Sequence, residues 1–334
     1  MNKKYYILLG ILLVIFFGFN LYIYTKSFEV PTKETKIVKT IPSNYPSVLN
    51  FGDIMFDRGV RNIIEKRGRD PFEYIKRDND LIKNYDIIVA NLEGPIIEMD
   101  RNLCQQKAYN FQFASTTPAL LKSVGINMVT IANNHNYDCF SVGFESTKKF
   151  LISAGIDYMG DNVLEKSYVV KTVDRKRIAF VGIDQSVGYI QVSNFYPLIK
   201  KLDLENDYVV VNIHWGNEYE LGFTETQETI AHALVDNGVD VVFGSHPHVV
   251  EPAEIYKNKA IFYSLGNFVF DQDPGETSRG VGVGVEFMED KSLFTIFPFN
   301  INKFAPEFMV GKEKDDYCSE FLKSIKHAGC SFEL

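Results

Sequence analysis

Asp53, Glu93, Asn134, His135, His214, His246 and His248 are residue types that can hold a pair of divalent ions and use them. Such a pair needs a carboxylate able to bridge it, neutral imidazoles, and an oxygen donor that leaves part of the charge uncancelled. The string GSHPH sets His246 and His248 two apart around Pro247, on a turn that Gly244 can bend, so the two imidazoles can address neighbouring ions. In ANNHNYD, Asn134 can lend its amide oxygen to a metal while His135 stays free to protonate a leaving group. Asp138 could fix the tautomer of that histidine, as a second group does for a working general acid. The plainer reading of the string is a polar turn, because Asn and Asp bond their own backbone. A cluster this polar at the end of an apolar run nevertheless needs partners.

These residues share a placement that implies the elements beneath them. Runs rich in Val and Ile at 48–51, 86–90, 127–132, 208–213 and 239–243 each end where a polar string begins. Such runs read as strands buried on both faces, and open α/β sheets keep their ligands at the carboxyl ends of such strands. The period changes between them. Thr117 and Pro118 open a short helix that Gly125 can close, residues 144–153 form a second closed by Gly155, and Thr224 caps a third with Gln227 reaching back. Residues 260–263, 281–288 and 293–299 read as strands, the last two as a hairpin at a sheet edge. Alternating strand and helix predicts an α/β domain over residues 48–300, followed by a C-terminal extension at 301–334.

The amino end has a different character. Residues 5–24 carry no charge and are twenty in number, enough for a helix to cross a hydrocarbon core about 30 Å thick. With Lys3 and Lys4 before it, residues 1–4 are expected in the cytoplasm, 5–24 as an uncleaved single-pass anchor, and the Pro-containing stretch 25–47 as a linker to an extracytoplasmic domain. The net charge of −8 argues against a nucleic-acid binder. It leaves anionic substrates open, since bound cations reverse a local potential. Cys104, Cys139, Cys318 and Cys330 lack the paired spacing of a structural zinc site. Three disulfide pairings are possible, and Cys318 with Cys330 is the pair closest in sequence.

The strings GDIM, ANLEGPI, ANNHNYD, HWGNEY, GSHPHVV and YSLGNFVFD resemble the CapA family, named for poly-γ-glutamate capsule synthesis and related to the calcineurin-like metallophosphoesterases. The resemblance implies a metallophosphoesterase-like layered β-sheet sandwich flanked by helices, with two ions of Mn, Zn or Fe at its loops. It makes Asp53 and His248 ligands of one ion, Glu93 the bridge, and Asn134, His214 and His246 ligands of the other, with His135 as the catalytic histidine. Asn91, Glu218, Tyr219, Asn267 and Asp271 are expected behind the ligands or along the cleft. Trp215 reads as a core anchor beside His214, with a substrate platform as the alternative; His232 and His327 read as solvated, and the basic stretch 58–69 as a solvated face that could attract a polyanion. Three departures stand out. Where the wider superfamily has Asp-x-His, this chain has Asp53, Ile54 and Met55, and a thioether suits hard divalent ions poorly. The first site is therefore expected to be weaker, filled by water, or empty. Ile96 stands where a second acidic residue would follow, and Cys139 and Phe140 interrupt the usual surroundings of the histidine motif.

Two functions follow. One is a metal-dependent phosphoester hydrolase serving synthesis or export of an anionic polymer such as poly-γ-glutamate, its ions activating water while His135 protonates the departing oxygen. The other is a non-catalytic accessory module that holds the polymer for membrane synthase subunits. Met55 favours the second and His135 the first.

Overall fold

The computed structural model describes Lys36, Ile37 and residues 45–161, 163–187, 191–272 and 275–334. The apolar segment 5–24 and most of the linker lie outside these residues. Among the described residues no helix is long and apolar enough to cross a membrane.

In chain order the strands are β1 (Lys36–Ile37), β2 (Ser47–Ile54), β3 (Ile87–Leu92), β4 (Met128–Thr130), β5 (Asp157–Met159), β6 (Tyr168–Val173), β7 (Lys176–Asp184) and β8 (Tyr208–His214). There follow β9 (Val241–Ser245), β10 (Ala253–Tyr256), β11 (Lys259–Phe262), β12 (Asn267–Val269), β13 (Arg279–Phe287), β14 (Ser292–Asn302), β15 (Ala305–Phe308) and β16 (Ser331–Glu333). The helices are α1 (Arg58–Arg67), α2 (Thr117–Lys122), α3 (Phe140–Ala154), α4 (Tyr196–Glu205), α5 (Glu225–Asp236) and α6 (Gly311–Phe321). One sheet runs β15-β14-β13-β2-β3-β4-β5, with β12 beside β2 and β16 beside β14; the other runs β1-β6-β7-β8-β9-β11-β10.

Each sheet is built around a parallel core, β2 to β5 in one and β7-β8-β9-β11 in the other. Parallel neighbours need long crossovers, and helices supply most of them. Alternation along a strand then sorts side chains by layer. In β8, Val209 and Val211 join the cluster with Ile199, Leu202, Ala231 and Leu234 of α4 and α5, while Val210 faces the opposite way. In β2, Leu49 packs toward α1, α2 and α3, while Val48 meets Val210 and Phe243 between the sheets. The result is helices, sheet, sheet, helices. The parallel cores end in the residues that the sequence singled out.

The cap at Thr224 forms as the sequence implies: Gln227 N–H donates to Thr224 Oγ1 at 3.2 Å and the Gln227 side chain takes Thr224 N–H at 2.8 Å. α3 starts at Phe140, earlier than expected, directly after Cys139, which is bonded to Cys104. The hairpin of β13 and β14 is present, but it is not the sheet edge. β15 and β16 both pair with β14, and Cys318 and Phe321 of α6 enter the core between the sheets. Residues 301–334 thus complete the same sandwich, pinned by the second disulfide, Cys318–Cys330.

Candidate metal centre

Register brings the first polar residues into line. Asp53 on β2 lies opposite Asn91 on β3 and Asn267 on β12, and Thr130 on β4 continues the row. In the other sheet His214 lies opposite Ser245. The sheets are joined beneath these ends by Asn212, which donates to Asn50 Oδ1 at 2.7 Å.

Two convergences result. In the first, Asp53, Glu93 and His248 place ligand atoms within 4.8 Å of one another, all three residues buried. His248 Nδ1 is 3.3 Å from Asp53 Oδ2, and its Nε2 is 3.7 Å from Glu93 Oε1. Neither oxygen of Glu93 has a hydrogen-bond partner. An orphaned carboxylate in a sealed site costs several kcal/mol, on the order of the penalty for any buried ion left unpaired, unless something neutralises it. In the second convergence His214 Nε2 meets Asn134 Oδ1 and His246 Nδ1, each at 3.1 Å. Asn91 links the two: its Nδ2 donates to Asp53 Oδ1 at 2.7 Å and lies 3.3 Å from His214 Nδ1. Asn133 holds Asn91 in turn, donating to its Oδ1 at 2.9 Å.

His135 stands beside the first group, its Nε2 3.9 Å from Glu93 Oε1. Its Nδ1 meets Asp138 Oδ2 at 2.8 Å, the Phe111 amide donates to the same oxygen at 2.6 Å, and Lys107 Nζ reaches Asp138 Oδ1 at 2.6 Å. A carboxylate accepts only, so Nδ1 carries the proton and Nε2 offers its lone pair to the cleft.

The loop that brings His246 and His248 to the centre is strained, with φ of 99° and 59°. Left-handed backbone at non-glycine residues costs about 1–3 kcal/mol each and persists where a site demands it. Gly244 does not make this bend. It belongs to β9, and a Cβ there would lie 1.8 Å from the Tyr263 carbonyl oxygen, so glycine is required by close approach.

The electrostatics divide along the same line. Burial, then the neighbouring His248, lowers His246 to about 4; burial and the other histidines push His214 well below its usual value. Burial also raises Glu93 well above the carboxylate range, with Asp53 adding to it. For His248 burial acts downward but is outweighed by Glu93 and Asp53, which carry it up to about 9. The Asp53–Glu93–His248 group thus holds protons that a cation would displace, while burial disfavours charge on His214 and His246. His135 is lowered by burial despite Asp138.

Other expected residues are distributed unevenly. Asn267 Oδ1 meets His248 Nδ1 at 3.0 Å. Glu218 and Tyr219 are exposed, and the Tyr219 ring lies 6.0 Å from that of His248. Asp271 is engaged at the start of α1, where it pairs with Arg58 and accepts the Gly59 amide at 2.8 Å. Trp215 is an anchor of the outer core, donating to the Tyr263 carbonyl at 2.8 Å. Met55 packs in the core toward α1, and its sulfur accepts the Asp57 amide at 2.9 Å. His232 is not simply solvated, since Glu254 holds it at 2.9 Å. Sequence reasoning passed over Asn133, Ser245 and Lys107, which act only through contacts across strands. The Cys104–Cys139 bond explains the departure at Cys139: it ties the residue after Asp138 to a loop whose Gln105 amide donates to the Asp138 carbonyl at 2.7 Å.

The model of the bacterial capsule synthesis protein family PGA_cap matches residues 47–272. The chain belongs to that family. The capsule biosynthesis protein CapA of Bacillus anthracis is 32% identical over 280 residues, spanning 77% of this chain and 67% of that protein. The PGA biosynthesis protein CapA of Bacillus subtilis is 29% identical over 324 residues, spanning 91% and 82%. Among solved structures, a hypothetical protein of Thermus thermophilus aligns with a TM-score of 0.43 and 15% identity over 78% of this chain and 95% of that one. The family match ends before β13, yet β13 pairs directly with β2, so the strands beyond the match are part of the same sheet as Asp53.

Proposed function

We propose that this family member is a membrane-anchored, extracytoplasmic protein of capsule-polymer synthesis or export whose cleft binds divalent cations and hydrolyses a phosphoester. The observation that carries this reading is Glu93, buried with both oxygens unpartnered among Asp53, His248 and His135. Asp53, Glu93 and His248 would hold one ion and Asn134, His214 and His246 a second, with Glu93 between them. Bound there, the ions would supply Lewis acidity and an acidified water. Asp138 orients His135 so that Nε2 faces the reacting group. With Nδ1–H held by Asp138, Nε2 would accept a proton from solvent water and deliver it to the departing oxygen, returning His135 to its neutral form. Two disulfides support an oxidising compartment, and relatives named for capsule and PGA biosynthesis support the polymer assignment.

A second reading, binding of the polymer for synthase subunits without cleavage, is favoured by Met55, whose thioether is committed to the core. One experiment separates the two. Metal content of the purified full chain is measured after loading with Mn, Zn or Fe, followed by turnover of bis(p-nitrophenyl) phosphate by the parent and by His135→Ala. Hydrolysis is expected to fall about 10²- to 10⁴-fold in the variant, the range for loss of a general acid or base. Full occupancy without turnover establishes the accessory role, and less than one ion per chain sinks the metal reading.

A further inference from the structure

Arg58 opens α1 with a φ of 48°, a left-handed conformation at a residue with no need of it for the helix that follows. That conformation costs about 1–2 kcal/mol. Observed strain of this kind is a pointer to function. The strain buys a position. The guanidinium carbon sits 5.0 Å from the ring centre of Phe111, 5.7 Å from Phe270 and 5.9 Å from Tyr109. Two of these rings continue into the centre: Phe111 lies 4.1 Å from the His135 ring and Phe270 lies 4.7 Å from the His248 ring. The guanidinium is therefore one aromatic ring removed from the histidine expected to handle the proton and from the histidine expected to hold an ion.

It is held there, and it is not used up. Asp271 pairs with Nη2 and also takes the Gly59 amide, locking the side chain to its own helix start. A guanidinium has five N–H donors in a planar fork, so one carboxylate leaves donors to spare. The side chain is 33% exposed although Phe111 and Phe270 beneath it are buried, and Tyr109 beside it is 62% exposed. Tyr219 forms the facing rim, its hydroxyl accepting from Gln272 Nε2 at 3.1 Å. The cleft floor is acidic, with Asp53 and Glu93 buried in it. An anionic substrate with charge beyond the group at the cations needs a separate positive contact. Arg58 is placed to provide it.

We propose that Arg58 and Tyr109 form an oxyanion subsite at the mouth of the cleft, which grips a carboxylate or phosphate of the substrate next to the group held at the metal centre. This rests on the reading of the centre as a cation site for an anionic polymer. The subsite is a specificity and positioning element, with Asp271 holding the guanidinium and the rings of Phe111 and Phe270 backing it.

The test uses the full chain loaded with Mn²⁺, and the probe is a fluorescein-labelled octamer of γ-linked glutamate followed by anisotropy, with inorganic phosphate as competitor. Arg58→Gln is expected to weaken octamer binding more than tenfold, Arg58→Lys to recover part of it, and exposed Tyr109→Ala to weaken it a few-fold. Mn²⁺ affinity, measured separately by calorimetry on each protein, stays within about twofold. If phosphate displaces the octamer from the parent and this competition vanishes in Arg58→Gln, a phosphate group is the occupant; if phosphate fails to compete, the carboxylate is. Equal octamer and phosphate binding by parent and Arg58→Gln overturns the subsite, as does a parent that binds neither probe. Failure of the metal reading shows independently, as absent Mn²⁺ uptake by the parent. Should Arg58→Gln melt well below the parent, Tyr109→Ala decides, and its unchanged binding overturns the proposal.

Discussion

Among the described residues, two places gather three potential metal ligands with atoms within 4.8 Å: Asp53, Glu93 and His248 in the cleft, and Glu228, His232 and Glu254 on the outer side, between α5 and β10. They differ in what the surroundings have already done for them. In the outer group Glu254 is satisfied twice, by His232 at 2.9 Å and by the Tyr263 hydroxyl at 2.6 Å, and the side chains of His232 and Glu254 are 27% and 25% exposed. In the cleft Glu93 is fully buried and neither of its oxygens accepts a hydrogen bond. Proximity of ligand types is common to both. Unsatisfied burial is what separates a group waiting for a cation from one that has neutralised itself.

The sharpest way to break this contrast is Glu93→Gln. The variant is expected to lose more than about 100-fold in Mn²⁺ affinity, because one of the two carboxylates of the cluster becomes a neutral amide. Without metal it should melt at or above the parent temperature, since the buried Glu93 carboxyl accepts no hydrogen bond that the amide would lose. Calorimetric titration and melting in EDTA read the two effects. A variant that keeps its metal, or that is destabilised without it, would count against an ion at Glu93.

Next come the disulfides, one beside the cleft and one remote. Cys104–Cys139 spans 35 residues and Cys318–Cys330 spans 12, so chain entropy assigns them about 4 and 3 kcal/mol. Serine pairs at either bond should lower unfolding free energy in urea by amounts of that order. Only the first should also reduce turnover, because it anchors the loop that carries Asp138. Equal activity in both variants would show that the loop holds His135 without the bond.

How much of this could be read from the chain depended on distance in sequence. The strand-end strings were legible because hydrophobic runs and polar residues adjoin, so Asp53, Glu93, His214 and His246 could each be placed on a strand end one by one. The cap at Thr224 was legible for the same local reason. The β6-β7 hairpin was not, since its turn is Asp174-Arg175, both at positive φ, without the glycine that marks such turns. The partners within SLGNFVFD were not legible, because a short strand sends Asn267 to His248 and Asp271 to Arg58 and the start of α1. Arg58 was hidden in a basic run, and only the fold shows that its guanidinium lies against Phe111 and Phe270 while Arg61 and Arg69 are tied to neighbouring loops. Cys104–Cys139 was open among three pairings until the loops were placed.

A subtler contrast concerns protons. His248 holds one up to about 9, so a cation entering near neutral pH must expel it. Mn²⁺ affinity should therefore rise by about tenfold or more per pH unit as pH climbs toward 9 and flatten above it, with at least one proton released per ion. In the metal-free chain the sign is opposite. The proton stabilises the fold fully below the ordinary histidine value near 6.5, and that contribution is lost as pH climbs through 9. Titrations in buffers of different ionisation enthalpy count the protons directly. A flat affinity profile would mean that His248 is neutral when the ion arrives.

The smallest expected effect is at the outer group, and it tests the contrast from the other side. His232→Ala removes a part-exposed ion pair, worth about 0–1 kcal/mol, and a stack on Tyr256 with ring centres 3.8 Å apart, worth some tenths more. Glu254 keeps the Tyr263 hydroxyl, so no buried charge is stranded. Stability should fall by about 1 kcal/mol or less, and the number of ions bound per chain should not change. Metal content after dialysis against limiting Zn²⁺ is the measurement. If His232→Ala releases an ion that Glu93→Gln retains, satisfaction of the carboxylates is the wrong criterion and the outer group, already paired, is the stronger cation site.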